Sequence, residues 1–324
     1  VRLLFWTDPH LAERPPLSRG AGYCDELFAK IMEIRSLAVD CDVTILGGDL
    51  WHWPRPPETS HRLVRRVIEC LRDWPTPLYV VAGNHDLPPE GMEGLSRTPL
   101  GVVLEALKEN SMPVELLGET VLRYDSSPVG ARVQLTARHW SHHLDQHPEL
   151  YAFPSRHPGA DFAVLVSHGM VMPEGDGWPF PAVGMQQIET EADVVLLGHM
   201  HWRTGVHRVN GTLFAGPGAV ARTSRSESEM KRRPAVLVLT LERGREPVFD
   251  FVELKSARPA AEVFVWRESS NALDGDLFAG YVAALEAGLN VEGLSVEEAL
   301  ATLELQARPA VVAKVREYLG RAGL

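Results

Sequence analysis

Cysteine is scarce. Cys24, Cys41 and Cys70 are the three present in 324 residues, and no two of them form a Cys-x-x-Cys pair. A disulfide framework and a zinc ribbon both fail on that count. Each cysteine lies in or beside an amphipathic stretch, where a small thiol packs as a hydrophobe. Long apolar runs are lacking too, since none approaches the roughly 18 residues of a membrane span. Basic charge is in deficit, with 32 Lys and Arg against 43 Asp and Glu and a formal net charge of -11. That excludes a uniformly basic nucleic-acid binder but not a local basic face, and bound cations would neutralise part of the acidity. The chain enters its first strand, Leu3-Leu4-Phe5-Trp6, with no basic and apolar leader ahead of it. Together these absences predict a cytoplasmic protein with no membrane segment.

What is present is a regular alternation. A strand at Arg2–Thr7 precedes a helix over Asp25–Val39, whose Leu27, Ile31 and Ile34 share a face. A strand at Val43–Leu46 precedes a helix over Glu58–Trp74, and Pro75 and Pro77 separate that helix from a strand at Leu78–Val81. Buried strands follow at Phe162–Val166 and Val194–Leu197. Further strands are predicted at Leu122–Tyr124, Arg132–Ala137, Leu213–Ala215, Val236–Leu241 and Phe249–Glu253. Strands alternating first with helices and later with strands predict a sheet-centred α/β domain. The composition shifts near Arg258-Pro259, giving a domain over 1–258 and a helical tail over 259–324. The tail's helices are expected at Asp276–Ala287, Ser295–Leu305 and Pro309–Leu319, and Ser295 with Glu298 forms a capping box for the second.

The chemistry sits at the strand ends. Five of them deliver oxygen or imidazole groups: Asp8 with His10, Asp49, Asn84 with His85, His168, and His199 with His201. α/β proteins place their sites just beyond such ends. In Asp8-Pro9-His10 and His199-Met200-His201 an extended chain puts both side chains of each pair on one side. Carboxylate, carboxamide and imidazole without thiolate suit manganese, iron or zinc rather than calcium. A carboxylate such as Asp49 can bridge two ions about 3.5–4 Å apart, a spacing suited to in-line attack on phosphorus.

These motifs resemble the calcineurin-like metallophosphoesterase superfamily over roughly residues 1–253. The resemblance implies a two-sheet β-sandwich flanked by helices, here with a small C-terminal helical appendage. It implies two divalent metal ions, with Asp8, His10, Asp49 and His201 on one and Asp49, Asn84, His168 and His199 on the other. His85 resembles the superfamily's phosphate-contacting histidine, and Asp86 beside it would orient that ring. Within the superfamily the likeness is strongest to SbcD-type DNA repair nucleases. Gly47-Gly48-Asp49-Leu50-Trp51-His52 resembles their Gly-Asp-Leu-Phe-His string, which implies that His52 assists exonuclease action. Val166-Ser167-His168-Gly169 fits a further motif, and Gly216-Pro217-Gly218 with the residues after it resembles their Pro-Gly-Ser segment. The activity implied is manganese-dependent exonuclease and single-strand endonuclease action on DNA, with an SbcC-type coiled-coil ATPase as partner.

Plainer readings stand beside these. His52 can simply cap its loop. Arg222, Arg225, Lys231, Arg232 and Arg233 suit phosphate-backbone contacts, or a solvated connection interleaved with Glu227 and Glu229. The histidine-rich run from Arg138 to His157 reads as a rim over the site or as a solvated loop. Leu63, Val67 and Leu71 on helix 58–74 suit a homodimer contact by resemblance, or core packing within one chain. Two rival functions remain: a phosphodiesterase of a small nucleotide or lipid, and a non-catalytic metal-binding scaffold.

Overall fold

The computed structural model describes residues 1–108, 113–122, 130–173 and 181–265. The chain divides into two compact units. The first comprises Val1–Asp176 and Pro181–Val265 and holds every element given below. The second, Gly177–Phe180 with Trp266–Leu324, lies outside the described residues, and with it the three helices expected beyond 271. So does the end of the strand predicted at Leu122–Tyr124.

The first strands are β1 (Arg2–Trp6), β2 (Val43–Leu46), β3 (Leu78–Val80), β4 (Val114–Leu116), β5 (Glu119–Leu122), β6 (Val133–Arg138) and β7 (Phe162–Ser167). After them come β8 (Val171–Met172), β9 (Val183–Gly184), β10 (Val194–Leu197), β11 (Gly205–Val209), β12 (Thr212–Gly216), β13 (Ala235–Thr240) and β14 (Val248–Glu253). The α-helices are α1 (Tyr23–Ala38), α2 (His61–Arg72), α3 (Pro99–Ala106), α4 (Glu227–Lys231) and α5 (Ala260–Val263).

Two six-stranded sheets form, ordered β14-β13-β1-β2-β3-β4 and β11-β12-β10-β7-β6-β5, with β8 and β9 as a separate pair. The strands from β1 to β4 run parallel, as do β6, β7, β10 and β12, while β13 is antiparallel to both β1 and β14, β11 to β12 and β5 to β6. Strands buried on both faces read as near-continuous apolar runs, as Leu3–Trp6 and Val194–Leu197 do. Alternate residues then sort into layers. Leu3, Phe5, Val43 and Ile45 meet Val164, Val166, Val194 and Leu196 between the sheets. Leu4 and Trp6 face outward under α1, α2 and α3. The outer face of the second sheet is covered by Leu144, Tyr151, Phe153 and Met185, which lie in loops and 3-10 turns. The segment from Arg138 to His157 therefore packs on that face through Leu144, Tyr151 and Phe153, while His142, His143, Gln146 and His147 stay exposed. Arg138 helps tie it down by donating to the carbonyl of Leu150 at 2.8 Å.

Helix ends follow their local chemistry. Helix α2 starts at His61 rather than Glu58, because Pro56–Glu58 is a 3-10 turn and Ser60 caps Leu63 N at 3.1 Å. Thr98 caps α3 through Gly101 N at 3.2 Å, and Pro99 takes the first helical position. The stripe Leu63, Val67 and Leu71 is 2% exposed and packs into the core of its own chain. The dimer contact expected from those residues is thereby corrected: their apolar surface is already buried within the unit. The first unit also takes in residues 259–265, where Val265 N bonds Ser18 O at 3.0 Å and Arg19 Nε bonds Val263 O at 3.1 Å.

Candidate active site

The parallel strands set their C-terminal ends along one edge of the sandwich, and the loops there are laced together. Asp8 N donates to Gly48 O and His10 N to Asp49 O, each at 3.0 Å, so the turns after β1 and β2 continue the ladder of their strands. Asp8, His10, Asp49 and His199 all have positive φ, between 45° and 71°. Each such residue costs about 1 kcal/mol or more, and strain of this kind clusters at functional sites. Gly48 and Gly83 permit close approach. A Cβ on Gly48 would lie 2.1 Å from His168 Nδ1, and one on Gly83 would lie 2.1 Å from Asp49 Oδ1.

The expected residues converge. Asp8, His10 and His201 form one cluster, and Asp49, His168 and His199 another, with ligand atoms within 4.8 Å of one another in each. Asn84 Oδ1 lies 3.3 Å from His168 Nε2, beside the second cluster. Asp49 Oδ2 stands between the two, 3.5 Å from His10 Nε2 and 3.4 Å from His168 Nε2.

Surrounding bonds decide which atoms remain open. Thr7 Oγ1 and His199 N donate to Asp8 Oδ2, leaving Oδ1 buried and without a hydrogen-bond partner. His85 N donates to Asp49 Oδ1 at 2.8 Å. The Nδ1–H of His168 fits as donor to Gly47 O at 2.7 Å, which turns its Nε2 lone pair inward. His10 Nε2 and His201 Nε2 face each other at 3.0 Å. Lone pairs and an orphaned carboxylate oxygen gathered in a buried space call for cations, so the residues fit two divalent ions.

The acids and imidazoles of the two clusters act strongly on one another. Burial opposes the charge of Asp49, but His168 and His10 outweigh it and hold the carboxyl well below its usual range. Burial would lower His168 as well, yet Asp49 and Asp8 push it up to about 10. Burial and His10 together lower His52 to about 3 and His201 to about 3.

A family model for calcineurin-like phosphoesterases matches residues 1–203. The chain belongs to that family. It is a metal-dependent phosphoesterase. Among curated proteins, it is similar to the DNA double-strand break repair protein Mre11 of Methanococcus maripaludis, 33% identical over 82 residues. That match covers 25% of this chain and 20% of that protein. It is also similar to the 3',5'-cyclic adenosine monophosphate phosphodiesterase CpdA of Haemophilus influenzae, 24% identical over 179 residues, or 55% of this chain and 58% of that protein. The chain thus spans less than two thirds of the length of either relative.

Three expected residues of this phosphoesterase are placed in ways that decide their roles. Asp86 does not touch the His85 ring: its carboxylate accepts Trp51 N at 3.1 Å and Gly83 N at 3.0 Å. Burial and the nearby Asp49 push it up to about 7. The orienting role expected of Asp86 is corrected, because the partner of His85 Nδ1 is the carbonyl of His52, at 2.8 Å. Arg222 is 2% exposed and donates to Arg258 O at 2.7 Å and Arg232 O at 2.6 Å, so phosphate contact by its guanidinium is corrected to a structural role. Arg232 is likewise turned onto Glu229 and the carbonyls of Ala219 and Ala221. Arg225 remains exposed. His52 stays at the site, with its ring parallel to that of His85 at 5.4 Å between centroids and 11° between planes.

Thr7, Tyr23 and Thr223 were not foreseen. Thr7 holds Asp8, Tyr23 Oη donates to His10 O at 2.9 Å, and Thr223 Oγ1 lies 3.4 Å from His201 Nδ1. Nothing in the sequence context of Thr7 and Tyr23 separates them from ordinary strand-end and helix residues, whereas Thr223 lies in the stretch that follows Gly216-Pro217-Gly218.

Proposed function

We propose that this phosphoesterase is a manganese-dependent DNA nuclease, with exonuclease and single-strand endonuclease action. In this reading it is the catalytic subunit of a repair complex with an SbcC-type coiled-coil ATPase. The observation that carries the reading is the stacked pair formed by His85 and by His52 at the end of the Gly48-Asp49-Leu50-Trp51-His52 string, taken with the 33% identity to Mre11 over 82 residues. Asp8, His10, Asp49 and His201 would hold one ion, and Asp49, Asn84, His168 and His199 the other. Ions bound there supply Lewis acidity for the phosphate and for the attacking water.

The chain's own groups do the rest. His85 gives its Nδ1–H to the His52 carbonyl, which fixes the ring and leaves Nε2 free to take up a proton and, as the imidazolium, pass it to the leaving oxygen. Burial lowers the pKa of His85, so the imidazolium is the minor form at neutral pH and a strong acid once formed. His52 flanks the same position and would steer the end of a strand into it.

A second reading has support of its own: hydrolysis of a small nucleotide diester. The likeness to CpdA runs over more of the chain, and Arg222 and Arg232 of the basic patch are turned inward. Cleavage of linear double-stranded and circular single-stranded DNA with manganese decides between them. The nuclease reading expects cleavage abolished in His85→Ala, with exonuclease alone impaired in His52→Ala. Intact DNA alongside hydrolysed bis-p-nitrophenyl phosphate would move the substrate to a small diester.

A further inference from the structure

Three of the six tryptophans among the described residues are spent in the core: Trp6, Trp51 and Trp74 are no more than 1% exposed. Trp53 is different. It is 38% exposed, and its ring packs on His52 at 4.7 Å between centroids and 68° between planes. His52 in turn lies parallel to His85. Trp53 therefore stands two ring contacts from the histidine assigned to the leaving oxygen.

The loop holds it rigidly. Pro54 follows directly, fixing its own φ and keeping Trp53 extended. Thr59 Oγ1 donates to Trp53 O at 3.1 Å, and Glu58 N and Thr59 N close the next turn onto Arg55 O and Pro56 O. His52, Arg55 and Glu58 share this loop with three prolines, so Trp53 is its one exposed aromatic ring. Arg55 is exposed and makes no ion pair among the described residues. A rigid aromatic surface beside an uncommitted cation is the arrangement that holds a base and its phosphate.

We propose that Trp53 is the specificity residue that stacks the nucleobase next to the scissile phosphate, and that Arg55 contacts the adjoining phosphate. The inference rests on the phosphodiesterase reading and applies to DNA and to small nucleotide diesters alike, because both carry a base beside the phosphorus.

The test compares a short oligodeoxynucleotide with the same strand carrying one abasic residue beside the cleaved bond, using full-length protein with manganese. In wild type the base-bearing substrate has a KM about tenfold lower. Trp53→Ala brings the two KM values together with kcat changed little, and Trp53→Phe restores part of the difference. Arg55→Ala raises both KM values alike, since a phosphate contact does not see the base. The inference is overturned if wild type shows no preference for the base, or if Trp53→Ala keeps it. Bis-p-nitrophenyl phosphate separates the two levels. If it is hydrolysed without any base preference, only the Trp53 assignment fails. If neither it nor the oligodeoxynucleotide is hydrolysed, the phosphodiesterase reading fails as well.

Discussion

His85 is oriented by the main chain of His52: its Nδ1 lies 2.8 Å from that residue's carbonyl oxygen. The two histidines are thus linked by a bond that survives removal of the His52 side chain. His85→Ala should lower kcat on bis-p-nitrophenyl phosphate by about 100-fold or more, the usual worth of a proton-transferring group. His52→Ala keeps the carbonyl and should cost less than about tenfold on that substrate. Steady-state kinetics on both variants checks this. A loss in His52→Ala as large as that in His85→Ala would mean the ring, not the carbonyl, positions the proton donor.

Asp86 joins the loop after β2 to the loop after β3 through Trp51 N and Gly83 N. Asp86→Ala leaves both buried donors without an acceptor, at about 1–3 kcal/mol each. The expected result is a lowered Tm and weaker manganese binding, because Asp49 and Asn84 sit on the loops that come apart. A protein with unchanged Tm and metal affinity but a collapsed kcat would instead restore Asp86 as the orienter of His85.

The strand ends of the candidate site were legible because parallel strands buried on both faces are written as apolar runs, and Asp8, Asp49, His168 and His199 follow within three residues of such runs. The flanking helices were legible from periodicity. Short or half-exposed elements such as α3 and β11 were not, since they carry too few apolar repeats. Arg222 shows a deeper limit. An arginine bonded to the carbonyls of Arg232 and Arg258 cannot be told from a phosphate ligand until the chain has folded around it. Asp86 misled in the same way, because adjacency to His85 in sequence says nothing about which loop its carboxylate faces.

The contrast between Arg222 and Arg225 is testable by salt. Arg222→Ala should lower stability by about 3 kcal/mol, as loss of a buried hydrogen-bonded cation does, and leave the salt dependence of DNA binding unchanged. Arg225→Ala should leave stability within about 0.5 kcal/mol and, if Arg225 touches a phosphate, reduce the slope of log affinity against log salt by about one. Urea unfolding and binding titrations between 50 and 200 mM salt, about the range in which such slopes are clear, read both effects. A reduced slope in a stably folded Arg222→Ala protein would place its guanidinium on DNA after all.

Lys30 offers a pH signature away from the metal ligands. It is fully buried, and its ammonium donates to Val220 O at 3.0 Å and pairs with Glu26 at 2.9 Å. Burial lowers its pKa to about 8; Glu26 resists that shift, while Arg19 and Arg222 add to it. An unfolded lysine titrates near 10.4. Between those values the unfolded chain holds a proton that the folded chain has released, so stability rises with pH across that window and is flat below it. Relative to Lys30→Met, which cannot titrate, wild type should gain about 2 kcal/mol between pH 7.5 and pH 9.5. Urea unfolding of both proteins at the two pH values measures it. A difference that does not change with pH would mean that Glu26 keeps Lys30 charged throughout, and that the cluster of Arg19, Glu26, Lys30 and Arg222 carries its full charge beneath the loop at Val220.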